Sequence, residues 1–285
     1  MRVKRKNIIT EKNQAAFKDW LKGEEKAAAT IEKYARDVRA FSVWLDGAMV
    51  TKELAVSYKQ DLMDKQRRKA TGINSVIAAL NAFFEFMRWE IKLKSLKIQR
   101  KTFRAKEKEL TKEDYEKLLQ TAKFNDNERL YLVLQTICST GIRVSELRFI
   151  TVEAIHSGKV EVTNKGKARS VFLPKRLMPL LRYYAKGCNI TCGCIFITRS
   201  GKPLNRSNIW AEMKKLCASA GVEPSKVFPH NLRALFARLF YGKDKDIAKV
   251  ANMLGHSDIN TTRIYIIENG EEYFRQINSL GLVMT

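Results

Sequence analysis

Residues 254–265 read Leu-Gly-His-Ser-Asp-Ile-Asn-Thr-Thr-Arg-Ile-Tyr, which places His256 nine residues before Tyr265. Two shorter stretches precede it: Ser-Thr-Gly-Ile-Arg-Val-Ser-Glu-Leu over residues 139–147 and Pro-His-Asn-Leu-Arg over residues 229–233. Each polar residue alone has a structural explanation, since a histidine can cap a helix, an arginine can pair with a nearby glutamate, and a tyrosine can be half-buried in a core. Their combination in one chain favours a catalytic explanation.

Together, these side chains suit an attack on a phosphodiester without a metal ion. The transition state carries negative charge on its non-bridging oxygens, and the guanidiniums of Arg143 and Arg233 each offer a planar fork of donors that stays charged. A tyrosine nucleophile must lose its phenolic proton, and the departing 5′-oxygen must gain one, which a lysine on a hairpin could supply. Such a site works by preorganised electrostatics and needs no cofactor.

The N-terminal part of the chain predicts a bundle of about four helices. Residues 30–45 carry apolar side chains at three- and four-residue steps, with Thr30 as a suitable N-cap, and residues 70–89 repeat the pattern. Two weaker helices are predicted near residues 11–21 and 51–67.

The C-terminal part predicts a mixture of helices and short strands. Thr111 begins a helix with a capping-box pattern, and a second helix ends near Gly141. The hydrophobic period then changes and predicts three short strands, at residues 159–163, 169–173 and 195–198. From Asn205 onward the pattern is helical again. The expected fold class is therefore mainly α with a small antiparallel β-sheet.

The quoted stretches closely resemble the signature motifs of the tyrosine recombinase (phage integrase) family. The matching motifs are T-G-I-R-V-S-E-L around Arg143, H-N-L-R from His230 to Arg233, and L-G-H-S-x-I-x-T-T-x-I-Y ending at Tyr265. The resemblance covers nearly the whole chain and implies a four-helix core-binding (SAM-like) domain followed by a mixed α/β catalytic domain. It also implies site-specific DNA recombination, in integration, excision or dimer resolution, without metal or ATP.

The resemblance assigns a role to each motif residue. Tyr265 would be the nucleophile that forms a 3′-phosphotyrosyl link to DNA. Arg143 and Arg233 would clamp the scissile phosphate. His256 would donate to a phosphate oxygen, and His230 would accept the tyrosine proton or hold its partner in place. The remaining assignments are Glu146 as a supporting residue that orients its neighbours, and Lys165 as the acid toward the 5′-oxygen, with Lys167 as its rival.

Three features depart from the family pattern. Ala234 stands where members often have histidine, Phe172 stands where proline is common, and the hairpin is slightly shorter than in many members. None of these departures removes a required group. The shorter hairpin leaves the choice between Lys165 and Lys167 open.

The charge of the chain indicates a polyanionic partner. Lys and Arg number 53 against 30 Asp and Glu, a net charge of +23. Residues 1–108 hold 26 basic and 13 acidic side chains, and residues 109–285 hold 27 and 17, so both parts are basic. Residues 91–108 carry eight basic side chains and one acidic one. We therefore expect a helical DNA-binding domain at residues 1–95, a basic linker at 96–108 and a catalytic domain at 109–285.

Other classes of site have no support in the sequence. No P-loop, dinucleotide-binding or zinc-protease motif is present. Cys188, Cys192 and Cys194 lack the usual zinc spacing, so no metal site is expected. We expect no membrane span, because no apolar run reaches the roughly 20 residues that a span needs. We also expect no signal peptide, because no apolar segment follows the basic N-terminus. Five cysteines without an export signal favour a reducing cytoplasm, where the protein would associate with the nucleoid.

The partner expected is a double-stranded DNA core site. Recombination needs four cuts, so the resemblance implies a homotetramer on two duplexes. Residues 271–282 predict a helix that either packs on its own domain or docks on a neighbouring protomer in a closed ring. The candidates for phosphate contacts in the N-terminal domain are Lys33, Arg36 and Lys69. We expect no arm-binding domain, which favours a simple Xer-like recombinase, chromosomal or encoded by a mobile element.

Two other functions stay open at this stage. A type IB topoisomerase uses similar chemistry to nick and reseal one strand, although the L-G-H-S block and the helical N-terminal domain favour a recombinase. A non-catalytic DNA-binding regulator would lack some active-site groups, whereas all of them are present in this sequence.

Overall fold

The computed structural model describes residues 7–64, 68–98, 109–164, 167–266 and 270–280. The chain divides into two compact units, residues 1–100 and residues 101–285. Each unit has a buried apolar core of its own. Most of the linker expected at residues 96–108 lies outside the described residues, as does Lys165. No helix in the part described is both long and apolar enough to cross a membrane.

Four helices form the described part of the first unit. They are α1 Glu11–Gly23, α2 Ala28–Leu45, α3 Lys52–Asp64 and α4 Ala70–Phe86. The predicted apolar stripes face one another, and aromatic rings fill the core, with Phe17 edge-on to Phe83 at 5.1 Å between ring centroids. Helix α2 begins before the predicted cap Thr30, because three consecutive alanines favour helix without help from a side-chain cap.

The second unit combines helices with one hairpin. Its helices in the described residues are α5 Lys112–Phe124, α6 Glu128–Thr140, α7 Val152–Ser157, α8 Leu177–Gly187, α9 Arg206–Ala220, α10 Pro229–Asp244, α11 Ile247–Leu254, α12 Ile259–Ile266 and α13 Gly270–Ser279. The capping box predicted for α5 is present: the Asp114 N–H donates to Thr111 Oγ1 at 3.1 Å, and the Thr111 N–H donates to Asp114 Oδ2 at 3.3 Å. Helix α6 ends at Gly141, as predicted.

The hairpin pairs strands β1 Lys159–Asn164 and β2 Lys167–Phe172 in antiparallel register, with Lys159 opposite Phe172. The third strand predicted at residues 195–198 is wrong within the described residues. That segment makes a single isolated bridge, from Ile197 to Pro203, because the chain turns back at once and the Thr198 N–H donates to the Lys202 carbonyl at 2.7 Å. The predicted class, mainly α with a small antiparallel sheet, is confirmed.

A small apolar cluster, separate from the main core of the second unit, joins helices α10, α11 and α12. Its buried members are Ala234, Phe236, Ala237, Val250, Leu254 and Tyr265. Ala234 is fully buried within it, so the position where family members often have histidine serves packing in this chain. The cluster brings the start of α10, the end of α11 and the face of α12 into one place.

Candidate active site

The end of helix α6 presents Arg143 next to a buried carboxylate. Gly141 ends the helix in a left-handed conformation with φ +65°, and a short 3₁₀ turn at Val144–Phe149 follows. Glu146 is 1% exposed. Its Oε2 accepts from the Arg143 backbone N–H at 2.8 Å, and its Oε1 accepts from Arg143 Nη1 at 2.9 Å. Glu146 therefore holds Arg143 by both its backbone and its guanidinium, which is the orienting geometry proposed for it.

A second arginine, Arg169, binds the same carboxylate, and the sequence motifs did not single it out. Arg169 on β2 donates from Nη2 to Glu146 Oε2 at 2.9 Å and from Nη1 at 3.2 Å. It lies opposite the buried Val162 and two residues before the buried Val171, so it occupies the inward face of the strand. A charged residue on an apolar strand face was the signal available in the sequence. One carboxylate faces two guanidiniums, so the local charge is positive.

Arg233 crosses the centre of the site from the first turns of α10. It is 3% exposed. Its Nη1 donates to the Gly141 carbonyl, and its Nη2 donates to the Leu254 carbonyl at 2.6 Å and lies 3.1 Å from His256 Nε2. Burial and then the nearby Arg143 lower the pKa of Arg233 to about 10, so it remains charged at neutral pH. This one side chain fixes the ends of α6 and α11 relative to each other.

His256 follows Gly255, which ends α11 with φ +65°. Its Nδ1 lies 2.9 Å from the hydroxyl oxygen of Thr262. Burial is the main cause that lowers the pKa of His256 to about 4, followed by the positive charges of Arg233, Arg143 and Arg169 and by His230. The imidazole is therefore neutral at physiological pH.

Tyr265 lies on α12 between the two histidines and is 5% exposed. Its hydroxyl oxygen is 3.3 Å from His230 Nδ1. The ring stacks on His256 with ring centroids 5.5 Å apart and planes 18° apart, and its centroid lies 4.9 Å from that of the His230 ring. The phenol is held by a ring on each side, with its hydroxyl at a nitrogen that can accept its proton.

The structure thus brings together six of the residues singled out in the sequence: Arg143, Glu146, His230, Arg233, His256 and Tyr265. Lys165 lies outside the described residues, and of Lys167 the structure describes the backbone within β2. Within the described ranges, no group of three potential metal ligands comes together. Cys188, Cys192 and Cys194 are free thiols.

The three lysine and arginine candidates of the first unit differ in their surroundings. Lys33 Nζ donates to Asp37 Oδ2 at 2.5 Å and to the Ser75 carbonyl at 3.1 Å, so its charge already has an intramolecular partner. Arg36 is exposed and lies 3.6 Å from Asp37 Oδ1. Lys69 is exposed and stands at the N-cap of α4.

Gly255 is a position where we expect no side chain to be tolerated. A Cβ there would lie 2.3 Å from Cδ of Arg169, in addition to the strain of the left-handed backbone. Gly255→Ala should therefore lower the free energy of unfolding by about 1–2 kcal/mol from the backbone alone. It should also displace Arg169 from Glu146 and so slow the DNA cleavage that the motifs predict. Urea unfolding and a cleavage assay measure the two effects.

Gly221→Ala is the matched control for that substitution. Gly221 ends α9 with φ +60°, but a Cβ there would meet no atom within 4 Å. The control should lose stability and keep its cleavage rate. Equal loss of cleavage in both variants would show that the close approach of Arg169 to Gly255 has no functional role.

Comparisons with known proteins find matches to both units of the chain. The sequence model described as the phage integrase family matches residues 108–272, and that of the phage integrase N-terminal SAM-like domain matches residues 15–91. Tyrosine recombinase XerD of Halalkalibacterium halodurans is 29% identical over 263 residues, covering 83% of this chain and 86% of that protein.

Two solved structures show the same fold. XerH site-specific recombinase bound to palindromic difH substrate in a post-cleavage complex is 20% identical, with a TM-score of 0.73, and the match covers 87% of this chain and 79% of that one. A lambda integrase tetramer bound to a Holliday junction is 17% identical, with a TM-score of 0.70, and covers 92% of this chain and 78% of that one.

Proposed function

The chain belongs to the phage integrase family and is a tyrosine recombinase, an enzyme that cleaves and rejoins DNA, and from this premise we propose which of its residues carry each step. The observation that supports the assignment most directly is the position of the Tyr265 hydroxyl, 3.3 Å from His230 Nδ1. The two guanidiniums bound to Glu146 and the guanidinium of Arg233 belong to the same site. A protein phenol, a base and fixed cations are the parts that phosphoryl transfer to tyrosine requires.

We propose that Arg143 and Arg233 bind the scissile phosphate. Arg143 is the more exposed of the two and is aimed by Glu146, whereas Arg233 is buried and held by main-chain carbonyls. Guanidiniums that are already fixed when the phosphate is bound need little further reorganisation as charge grows on the phosphate oxygens. Arg169 adds positive charge at the same point without being assigned a phosphate contact.

Tyr265 attacks the phosphorus in this mechanism, and its proton passes to His230. The new bond joins the phenolic oxygen to phosphorus as a 3′-phosphotyrosyl ester, while the bond to the 5′-oxygen breaks. The leaving oxygen takes a proton from the hairpin lysine, proposed as Lys165 with Lys167 as the alternative. The ester retains the free energy of the broken linkage, so the 5′-hydroxyl of another strand can reseal it without ATP.

The experiment that tests this mechanism is covalent trapping in EDTA. The substrate is a nicked suicide duplex that carries the recombination site, located by sequencing the junctions that the enzyme makes in cells. The expected result is a denaturant-stable protein–DNA adduct whose yield is the same with EDTA and with Mg²⁺, without nucleotide. A strict requirement for a divalent metal would contradict the proposal.

We propose further that four protomers assemble on two duplexes of the core site through helix α13. Phe274, Ile277 and Leu280 repeat at three-residue steps along this C-terminal segment and are all exposed. The solved structure of lambda integrase is a tetramer on a Holliday junction, which supports the same assembly for this chain. An apolar row of this kind gains free energy when a neighbouring protomer covers it.

Deletion of residues 271–285 should therefore abolish the synaptic complex of two duplexes. Binding to a single duplex should survive, since residues 1–270 keep both the helical unit and the active-site helices. Gel retardation with one and with two labelled duplexes separates the two outcomes. Synapsis that persists after the deletion would exclude docking in trans by this helix.

A further inference from the structure

Thr262 lies one helical turn before the proposed nucleophile and is fully buried. Its hydroxyl oxygen is 2.9 Å from His256 Nδ1, on the side of the imidazole away from Arg233. Neither the family-derived roles nor the assignments above give it a function. Its position on α12 places it and Tyr265 on the same buried face of the helix.

The two neighbours of His256 together determine which ring nitrogen carries the proton. Arg233 Nη2 lies 3.1 Å from Nε2, and a guanidinium can only donate. Nε2 must therefore accept and carries no proton. The low pKa of His256 keeps the ring neutral, so its single proton is on Nδ1. The Nδ1–H then donates to the Thr262 hydroxyl oxygen, which accepts.

This arrangement has a consequence for the role proposed for His256. A nitrogen without a proton cannot donate to a phosphate oxygen, so the substrate-free site holds His256 in the tautomer that does not serve that role. In the opposite tautomer Nε2 carries the proton and Nδ1 carries none. Nδ1 then accepts a hydrogen bond and needs a neighbouring group that can donate one. A threonine hydroxyl is suited to both states, because it can accept from Nδ1–H and can also rotate to donate to a bare Nδ1.

We propose that Thr262 is a positioning residue that allows His256 to change tautomer when the scissile phosphate binds. This rests on the proposed function of the site. The phosphate draws the Arg233 donor away from Nε2 through a charge-assisted hydrogen bond. Nε2 then gains a proton from water, Nδ1 loses one to water, and the Thr262 hydroxyl reverses to donate to Nδ1. The ring stays neutral, and Nε2–H faces the phosphate.

The first test is the tautomer of His256 in the free protein. The chain contains three histidines, at positions 156, 230 and 256, so a spectrum of protein labelled with ¹⁵N-histidine shows three pairs of ring nitrogens, assigned with His256→Gln. The expected pattern for His256 is a protonated Nδ1 and an unprotonated Nε2. A proton on Nε2 in the free protein would overturn the inference, whatever the enzyme does to DNA.

The second test compares two substitutions of Thr262 on the nicked suicide duplex. Thr262→Val keeps the shape and removes the hydroxyl, and should slow single-turnover cleavage about 10–100-fold at saturating DNA, with half-saturation unchanged, as for other supporting hydrogen bonds. Thr262→Ser restores a hydroxyl and should recover most of the rate. A valine variant that cleaves like the wild type, or a serine variant as slow as valine, would contradict the proposal.

The third test asks whether Thr262 acts through His256. In the double variant Thr262→Val with His256→Gln, cleavage should be no slower than with His256→Gln alone. Multiplied losses would mean that Thr262 acts independently, as a packing residue would. If the wild type forms no adduct at Tyr265, the proposed function fails, and the tautomer measured in the free protein still decides the hydrogen-bond assignment.

Discussion

Tyr265→Phe is expected to abolish the covalent protein–DNA adduct and to leave DNA binding intact. The substitution removes only the oxygen that attacks phosphorus. No other tyrosine described at the site has its phenol at a potential base, so the loss of cleavage should reach at least about 10⁴-fold, as for other enzymes that lose their nucleophile. The ring remains to pack in the cluster with Phe236 and Leu254 and to stack on His256.

The loss of the hydroxyl should cost little stability. Tyr265 gives up a contact of 3.3 Å with His230, and a single neutral hydrogen bond contributes about 1 kcal/mol. The measurement is a denaturing gel of the suicide duplex beside a native retardation gel of the same samples. Loss of both adduct and retardation would indicate unfolding rather than loss of the nucleophile.

Tyr241→Phe is the matched control for the nucleophile. Tyr241 lies on α10 and packs, partly buried, against the same apolar cluster. Its substitution should leave the adduct unchanged. An adduct that survives in Tyr265→Phe, or one that disappears in Tyr241→Phe, would refute the assignment of the nucleophile.

Arg233→Lys is expected to reduce cleavage about 10³-fold, as other losses of a fixed donor at a developing anion do. The guanidinium donates to the Gly141 and Leu254 carbonyls and reaches His256 Nε2 at the same time. An ammonium is a single point on a flexible stem and cannot reproduce that planar fork. Burial that already lowers the pKa of Arg233 would also penalise the charge of a lysine.

The same substitution should also destabilise the second unit. A main-chain carbonyl left unsatisfied in a buried site costs about 1–3 kcal/mol. Arg143→Lys is the comparison, since Arg143 is partly exposed and its partner Glu146 is also held by Arg169. It should lose cleavage with a smaller change in stability. Single-turnover rates and urea unfolding of both variants measure this, and an Arg233→Lys enzyme as fast as the wild type would exclude the phosphate clamp.

Several features were predictable because their signals are local in the chain. The apolar steps of α2 and α4, the capping box at Thr111 and the glycine that ends α6 each depend on residues within a few positions of one another. The motifs predicted the family in the same way, and this prediction is confirmed. The errors were also local: the segment at residues 195–198 has strand composition, but it turns before a ladder can form.

The sequence by itself therefore determined the class of fold and the family and named the candidate reactive residues, because each is encoded in short windows of spacing and residue type. Only the tertiary structure decided how these residues act on one another. Arg233 meets a carbonyl 92 positions away, Arg169 meets Glu146 23 positions away, and Tyr265 meets His230 35 positions away. Such contacts follow from how helices pack, which periodicity does not specify, and so the contact of Arg169 with Glu146 and that of Thr262 with His256 are seen only in the folded chain.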